Sequence, residues 1–245
     1  MNPQSPAPDT PTLGTNERSV EAPWAIQHIG GARRVLDVGC STSDYLADLA
    51  QNEPRLDRRV YGLDPDAPRP TRNVGILKGT IVAPPFPAAG FDLILCVSTV
   101  EHIGLPIYGQ HEFPHGDILA MRHMRRLLAP GGRLLLTVPF GRAQVNPWFR
   151  VYDSPGLRRL TGGFRSLSAA FYRLRPDAEG SYEPCPAADL REAGYDFEHM
   201  RTEGVALAEL TPSGPLSFLL ARALTRLSFW FDRLRGKEKP FLPPS

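Results

Sequence analysis

The sequence predicts an α/β fold with a mostly parallel sheet, and three stretches carry that prediction. The apolar runs 35–38 and 60–63 are separated by a segment with helical spacing, and the acid Asp64 follows the second run. Two strands joined by a helical crossover of about a dozen residues form a βαβ unit, whose strands run parallel. Residues 91–98 are almost continuously apolar between turns, as in a strand that is buried on both faces.

The amino-terminal part of the chain predicts a tail followed by a short helix. Residues 1–14 are rich in Pro, Ser and Thr and lack the apolar core of a signal peptide, so we expect a disordered tail. Residues 21–30 predict a helix that begins at Pro23 and ends at Gly30. The βαβ unit follows directly.

The middle of the chain continues the alternation of strands and helices. Its apolar spacing predicts a third strand at 74–79, a helix at 116–128 and a fifth strand at 133–138. The Pro-Gly-Gly sequence at 130–132 should end the helix, because Pro and Gly interrupt regular structure.

The last part of the chain predicts three further elements. We expect a short helix at 187–193, a strand at 197–206 and an amphipathic helix at 215–235. An amphipathic helix docks on its own core, pairs with another subunit or lies on an anionic membrane, and the pattern leaves these three roles open.

The composition limits the class of protein. With 28 Lys and Arg against 26 Asp and Glu, the chain of 245 residues has a formal charge of +2, which argues against a nucleic-acid partner. Its three cysteines are scattered and form no metal pair or disulfide framework, which suits a reducing cytoplasm. No apolar run is long enough to span a membrane, so we expect a cytoplasmic protein with, at most, peripheral membrane contact.

The turn after the first strand predicts a ligand site. In an open parallel sheet, ligands bind beyond the carboxyl ends of the strands. Gly39 lets the backbone approach a ligand closely, and free N–H groups at the start of the next helix favour an anion. Asp64 ends the second strand, where a carboxylate accepts ribose hydroxyls, and Asp37 is placed to orient the loop or to take an ammonium group. A nucleoside with a charged tail is the predicted ligand.

These residues resemble a known family. Leu-Asp-Val-Gly-Cys at 36–40 and Gly-Leu-Asp at 62–64 are similar to motifs I and II of class I S-adenosylmethionine-dependent methyltransferases. Ser41 and Ser43 stand where that family prefers glycine, and Thr80 stands where it prefers an aspartate that holds adenine. Leu-x-Pro-Gly-Gly before the fifth strand is a further resemblance.

The resemblance implies a fold, a cofactor and a set of contacts. The fold would be a seven-stranded, mostly parallel sheet with helices on both faces and an insert after strand 5, in a domain spanning 15–210, with the amphipathic helix and tail at 211–245. The cofactor would be S-adenosyl-L-methionine. The implied cofactor-binding residues are Asp37, Gly39, Cys40, Ser41, Asp64, Pro65, Thr80, Ile81, Ser98 and Glu101.

His102 is the predicted catalytic base. The sequence Glu-His-Ile-Gly-Leu-x-x-Tyr-Gly at 101–109 resembles a methyltransferase-like branch associated with bacterial surface polysaccharide and specialised metabolite pathways. With an unperturbed pKa near 6.5, a histidine is suited to take a proton from a hydroxyl. The alternative is a histidine that lines the pocket or bonds a loop carbonyl. The spacing of the nearby His, Glu and Asp residues matches no compact metal site, so we predict no metal.

The insert at 141–182 is the predicted acceptor side of the pocket. It mixes aromatic residues with arginines, which would form an apolar wall and grip a phosphate or carboxylate group. The alternative is a small packed subdomain with a solvated basic face. The predicted substrate-binding residues are Tyr108, Arg150, Tyr152 and Asp153.

The sequence therefore predicts a methyltransferase that uses S-adenosylmethionine. The resemblance favours O-methylation of a small molecule or a sugar in a surface polysaccharide or specialised metabolite pathway, with a hydroxyl-bearing acceptor as partner. Three alternatives stay open: a catalytically silent methyltransferase-like binding or scaffold protein, an NAD(P)-dependent oxidoreductase, and a membrane-bound scaffold that uses the last helix.

Overall fold

The structure of the protein is a computed structural model that describes residues 16–43, 46, 58–66, 74–108, 111–176, 180–197, 199 and 201–214. The predicted tail at 1–14 and the predicted amphipathic helix at 215–235 lie outside these residues.

Five parallel strands form one half of the main sheet. Each is an apolar run that the sequence predicts, and neighbours pair in register, for example Asp37 with Gly62 and Val97 with Thr137. In chain order they are β1 (Arg34–Val38), β2 (Arg59–Asp64), β3 (Val74–Lys78), β4 (Phe91–Val97) and β5 (Leu128–Pro139). In space the order is β3-β2-β1-β4-β5, so the chain reverses direction across the sheet between β1 and β4.

The other half of the sheet comes from later in the chain. Three later strands join it: β8 (Phe164–Leu174), β9 (Tyr182–Pro184) and β12 (Gly204–Pro212). Two separate two-stranded sheets are formed by β6 (Gln144–Val145) with β7 (Arg150–Val151) and by β10 (Tyr195–Asp196) with β11 (Arg201–Thr202). β12 lies antiparallel between β5 and β8, and β9 pairs with the outer edge of β8. The sheet is therefore mostly parallel, as predicted, with eight strands rather than seven because the short β9 extends its edge.

Helices cover both faces of this sheet. They are α1 (Arg18–Gln27), α2 (Gly116–Leu127) and α3 (Ser154–Leu160). Because successive side chains of a strand point to opposite faces, Leu36 packs in one core with Met121 of α2, while Val35 packs in the other with Ala25 of α1. Leu160 of α3 joins the α2 side.

Several predicted elements differ from the structure in type or in bounds, and the helix predicted at 187–193 is only a 3₁₀ turn at Ala187–Leu190. The first helix begins at Arg18 rather than Pro23, so Pro23 lies inside α1. The strand β5 begins at Leu128, and the Pro-Gly-Gly sequence at 130–132 lies in its irregular first part, where the pairing with β4 shifts. The last strand is at Gly204–Pro212 rather than 197–206.

The segment predicted as a substrate-side insert, 141–182, is partly sheet. Residues Phe164–Leu174 form β8, which pairs along its length with β12. Phe164 and Phe171 of this segment pack on the core, with Phe171 at a centroid distance of 4.8 Å from Phe140, whereas Trp148 is 46% exposed. Only 140–163, with the β6–β7 hairpin and α3, leaves the main sheet before β8.

No helix in the described part of the chain has the length and apolar character needed to cross a membrane.

Candidate active site

The carboxyl ends of the parallel strands bring the predicted cofactor residues to one rim. The Gly39 N–H donates to the Leu63 carbonyl at 2.9 Å, which joins the turns after β1 and β2. The turn after β4 is equally close, because a Cβ atom on Gly39 would lie 2.2 Å from Thr99 Oγ1. The φ angle of Gly39 is 84°, so both its conformation and its surroundings require glycine.

Cys40 stabilises this turn from inside. Its side chain is buried, and a Cβ atom on Gly62 would lie 2.6 Å from its Sγ atom. Burial, with the nearby carboxylates of Asp37 and Asp64, raises the pKa of the Cys40 thiol to about 12. The Cys40 thiol therefore stays protonated at neutral pH and serves packing. The predicted contact of Cys40 with a cofactor would come from its backbone.

The Asp64 side chain joins the turn after β1 to the turn after β2. Its Oδ2 atom accepts the Ser41 N–H at 3.0 Å, and its Oδ1 atom accepts the Asp66 N–H at 2.8 Å. The residue is only 6% exposed. Because each carboxylate oxygen has two lone pairs, both oxygens retain acceptor capacity for the hydroxyls of a ribose. The predicted residue Pro65 follows in the exposed turn.

Thr80 and Ile81 lie beside Asp64, since the Gly79 N–H donates to the Asp64 carbonyl at 3.0 Å. The hydroxyl of Thr80 accepts the Val82 N–H at 3.4 Å and so closes its own turn. The Ile81 side chain is buried in the core, which leaves its backbone for a ligand.

Two buried carboxylates lie beneath the rim, Asp37 in β1 and Glu101 in the turn after β4. Asp37 and Glu101 are each 1% exposed, and Oε2 of Glu101 has no hydrogen-bond partner among the described residues. Burial raises the pKa of the Glu101 carboxyl well above its usual range. A cationic ligand group beside Glu101 would restore its charged form.

The helix α1 contributes a buried acid that the sequence did not predict. Ser98, which has a φ angle of 40°, donates its hydroxyl to Oε1 of the fully buried Glu21 at 2.6 Å. Arg18 donates to the Val97 carbonyl at 3.2 Å. The first turns of α1 therefore pack against the end of β4. A Glu on the inward side of a short helix is the one signal that could have indicated this contact.

His102 is held in the tautomer that a general base needs. Its Nδ1 atom lies 2.6 Å from the Trp148 carbonyl oxygen. A carbonyl only accepts hydrogen bonds, so Nδ1 carries the proton and Nε2 carries the lone pair. Nε2 lies 3.7 Å from Oε1 of Glu101. Burial lowers the pKa of His102 to about 4, so the imidazole is neutral at pH 7.

An aromatic side chain flanks this imidazole. The Tyr108 ring meets the His102 ring edge to face at a centroid distance of 5.7 Å and is 70% exposed. The side chain of His102 itself is 25% exposed. His102, the predicted base, and Tyr108, the predicted substrate-binding residue, therefore lie together at the surface of the rim.

Arg150 clamps the turn that carries His102. Its guanidinium donates to the carbonyls of Glu101 and Ile103 at 3.0 and 2.9 Å, on either side of His102. It also lies 3.8 Å from Oδ2 of Asp117, which accepts the Tyr152 hydroxyl at 3.0 Å. The substrate-binding role of Arg150 and Tyr152 stays a prediction, although both already have partners in the protein. Both side chains are used inside the protein, and Tyr152 is only 6% exposed.

Asp153 also has a local task. Its Oδ1 atom accepts the Gly156 N–H at 2.7 Å and caps α3. It lines a surface cavity of about 390 Å³ beyond the end of β5. Of the predicted substrate-binding residues, Tyr108 and Asp153 thus border open space.

The Gly-Asp pair at 116–117 serves close packing. Gly104, with a φ angle of 82°, and Gly116 meet backbone to backbone: a Cβ atom on Gly116 would lie 2.6 Å from the Gly104 Cα atom. This contact seats the turn after His102 on the start of α2. Asp117 then points inward to Arg150 and Tyr152.

Replacing Arg150 by methionine should destabilise the protein. We expect the free energy of unfolding to fall by about 3 kcal/mol, because two carbonyls and Asp117 lose a buried donor. Urea denaturation followed by circular dichroism measures this change. The exposed Arg158→Met variant is the control and should change the free energy by less than about 0.5 kcal/mol. Equal stability of both variants would contradict the clamp.

The His, Cys, Asp and Glu side chains of the described residues form no group of three that could hold a metal ion.

Comparison with known proteins agrees with this geometry. A family model described as "Methyltransferase domain" matches residues 12–173. A protein of Encephalitozoon cuniculi that carries a methyltransferase name is 30% identical over 164 residues, covering 64% of this chain and 70% of that protein. The demethylmenaquinone methyltransferase of Deinococcus radiodurans is 26% identical over 189 residues and covers 72% of each chain.

A solved structure has the same fold at low identity. It is the Burkholderia thailandensis 1,6-didemethyltoxoflavin-N1-methyltransferase with bound 1,6-didemethyltoxoflavin and S-adenosylhomocysteine. The TM-score is 0.53 at 16% identity, over 78% of this chain and 76% of that one.

Proposed function

Since this chain belongs to the methyltransferase-domain family and is an S-adenosylmethionine-dependent methyltransferase, we propose that it methylates a hydroxyl group with His102 as the general base. The observation that carries the proposal is the hydrogen bond from His102 Nδ1 to the Trp148 carbonyl, which leaves the lone pair on Nε2. A hydroxyl acceptor needs such a base, because its proton must leave as its oxygen attacks.

The residues of the rim fit S-adenosylmethionine. Asp64 would accept the ribose hydroxyls, and the turn at 39–41 would approach the methionine part of the cofactor. The buried carboxylate of Glu101, with an oxygen that lacks a hydrogen-bond partner within the described chain, would take the ammonium group. When bound, the cofactor supplies an electrophilic methyl group on a positively charged sulfur.

The chain's own contribution to the reaction is orientation and proton removal. Nε2 of His102 would accept the hydroxyl proton of the acceptor as the acceptor oxygen bonds to the methyl carbon and the carbon–sulfur bond breaks, which leaves a neutral thioether. Once a bound ammonium group restores the charge of Glu101, its Oε1 atom, which lies 3.7 Å from Nε2, would also stabilise the imidazolium that results. Arg150 keeps the turn in place, since correct positioning of two reactants accounts for much of the acceleration in such reactions.

The proposed acceptor is a small molecule or a sugar of a surface polysaccharide or specialised metabolite pathway. The exposed ring of Tyr108 beside His102 supports this, because aromatic rings stack on flat or cyclic ligands. The free cysteines, Cys40, Cys96 and Cys185, suit a cytoplasmic location. The family membership argues against the oxidoreductase alternative.

Transfer of a labelled methyl group tests the proposal. The full chain is incubated with methyl-labelled S-adenosylmethionine and an acceptor panel of sugar nucleotides, lipid-linked sugars and small phenols. We expect label in a methyl ether of one acceptor class. Label attached only to nitrogen atoms of these acceptors, or no label in this panel and in a wider hydroxyl panel, would overturn O-methylation.

A further inference from the structure

We propose that the cavity beyond β5 binds a phosphate or diphosphate group of the acceptor, which makes the acceptor a phosphorylated compound such as a sugar phosphate or a sugar nucleotide. This inference rests on the proposed function and deepens it. The cavity has a volume of about 390 Å³, within the range of small-molecule sites. Its wall includes Phe140, Arg142, Asp153, Ser154 and Arg191.

Two arginines from distant parts of the chain meet at this cavity. Arg142 follows β5, and Arg191 follows the turn Ala187–Leu190. The two segments are joined by the Arg142 N–H, which donates to the Ala193 carbonyl at 2.8 Å. The contact is tight, because a Cβ atom on Gly141 would lie 2.1 Å from the same carbonyl oxygen. The backbone positions of both arginines are therefore well defined.

Both guanidinium groups are available to a ligand. Arg142 and Arg191 are exposed, and neither forms an ion pair with any residue that the structure describes. A guanidinium binds phosphate through two parallel hydrogen bonds, which makes arginine well suited to this group.

The cavity carries net positive charge. Two arginines and the single acid Asp153 among its lining residues give a formal charge of +1. An anionic group in the cavity would therefore face the guanidinium groups of Arg142 and Arg191. The carboxylate of Asp153 is already bonded to the Gly156 N–H and caps α3.

The segment that begins at β7 connects the turn of His102 to the wall of the cavity. Arg150, whose guanidinium holds the His102 turn, is three residues before Asp153 in the cavity wall. At the rise of an extended chain, three residues span about 10 Å. An acceptor of sugar phosphate or sugar nucleotide size could place a hydroxyl at His102 and a phosphate between Arg142 and Arg191.

A second basic groove supplies an internal control. It has a volume of about 350 Å³ and is lined by Arg33, Arg34, Arg59 and Asp92. Arg34 and Arg59 lie at the amino ends of β1 and β2, at the opposite end of the sheet from His102. An anion attracted only by surface charge would bind there as readily.

The test is calorimetric titration of sodium pyrophosphate into the full chain and three single variants. We expect one site, an affinity at least tenfold weaker in Arg142→Gln and in Arg191→Gln, and an unchanged affinity in Arg59→Gln. Thermal unfolding by circular dichroism checks that the variants are folded. No binding to the wild-type chain, a loss only in Arg59→Gln, or equal affinity in all four proteins would overturn the site.

Methyl transfer separates this inference from the proposed function. For a phosphorylated acceptor, the KM should rise about tenfold in Arg142→Gln and stay unchanged in Arg59→Gln. Pyrophosphate binding that depends on Arg142, combined with no methyl ether on any acceptor, would refute O-methylation and leave the anion site standing. Methyl ether formation with the same KM for phosphorylated and phosphate-free sugars would refute the phosphate inference alone.

Discussion

The His102→Ala variant should lose turnover by roughly 10²- to 10⁴-fold in kcat, the usual contribution of a general base. Its affinity for S-adenosylmethionine should stay within about twofold, since the His102 ring is held by the Trp148 carbonyl and packs against Tyr108. Initial rates with methyl-labelled cofactor measure the first effect, and calorimetric titration of the cofactor measures the second.

The matched control is His111→Ala, which removes an exposed histidine of the following loop and should leave kcat unchanged. Normal turnover of His102→Ala with the true acceptor would show that His102 is not the base. A fall in cofactor affinity together with kcat would show that it holds the cofactor instead.

The pH profile of the wild-type enzyme is part of the same expectation. Because burial lowers the pKa of His102 to about 4, the base stays unprotonated and kcat should remain level from pH 8 down to about pH 5. The unfolded chain binds this proton near pH 6.5 and the folded chain does not, so the His102 contribution to stability falls as the pH drops from 6.5 to 4. A loss of kcat centred near pH 6.5 in the folded enzyme would contradict the buried, neutral imidazole.

The Asp64→Ala variant should bind S-adenosylmethionine roughly 10- to 100-fold more weakly. Hydrogen bonds to a charged acceptor are each worth about 1.5–3 kcal/mol, and the variant loses the carboxylate that would accept the ribose hydroxyls. It also releases the Ser41 and Asp66 N–H groups that now donate to that carboxylate. Calorimetric titration of the cofactor measures the effect.

The neighbouring Asp66→Ala variant is the control for Asp64. Its side chain is exposed, and only its backbone N–H takes part in the rim, so cofactor affinity should change by less than about twofold. Equal cofactor affinity in Asp64→Ala and the wild-type chain would show that the ribose is held elsewhere.

Local sequence patterns predicted the parallel strands of the main sheet and the residues of the rim that are proposed to bind the cofactor. The strands β1, β2 and β4 are apolar runs that need no distant partner to be recognised, because a strand buried on both faces is apolar throughout. The turn at Gly39 and the acid at Asp64 follow directly from the ends of those strands. Parallel pairing then requires that they meet.

The acceptor side was harder to predict from the sequence. The composition of this segment shows which residue types are present, but the role of each side chain depends on partners that are distant in the chain. Arginines and aromatic residues at 141–182 predicted a substrate-side insert, yet residues Phe164–Leu174 pair with β12, which begins some thirty residues later in the chain. β8 also lacks a clear alternation of buried and exposed positions, because none of its eleven residues is fully buried.

The sequence by itself determined the α/β class, the methyltransferase family resemblance, and the identity of Gly39, Asp64 and His102 as residues of one rim. Only the tertiary structure decided that Arg150 holds the turn of His102, that Tyr152 donates to Asp117, and which tautomer His102 adopts. The physical reason is that these contacts join groups 35 to 49 residues apart in the chain. A buried hydrogen bond is specified by where two elements meet in space, and no local spacing encodes that meeting.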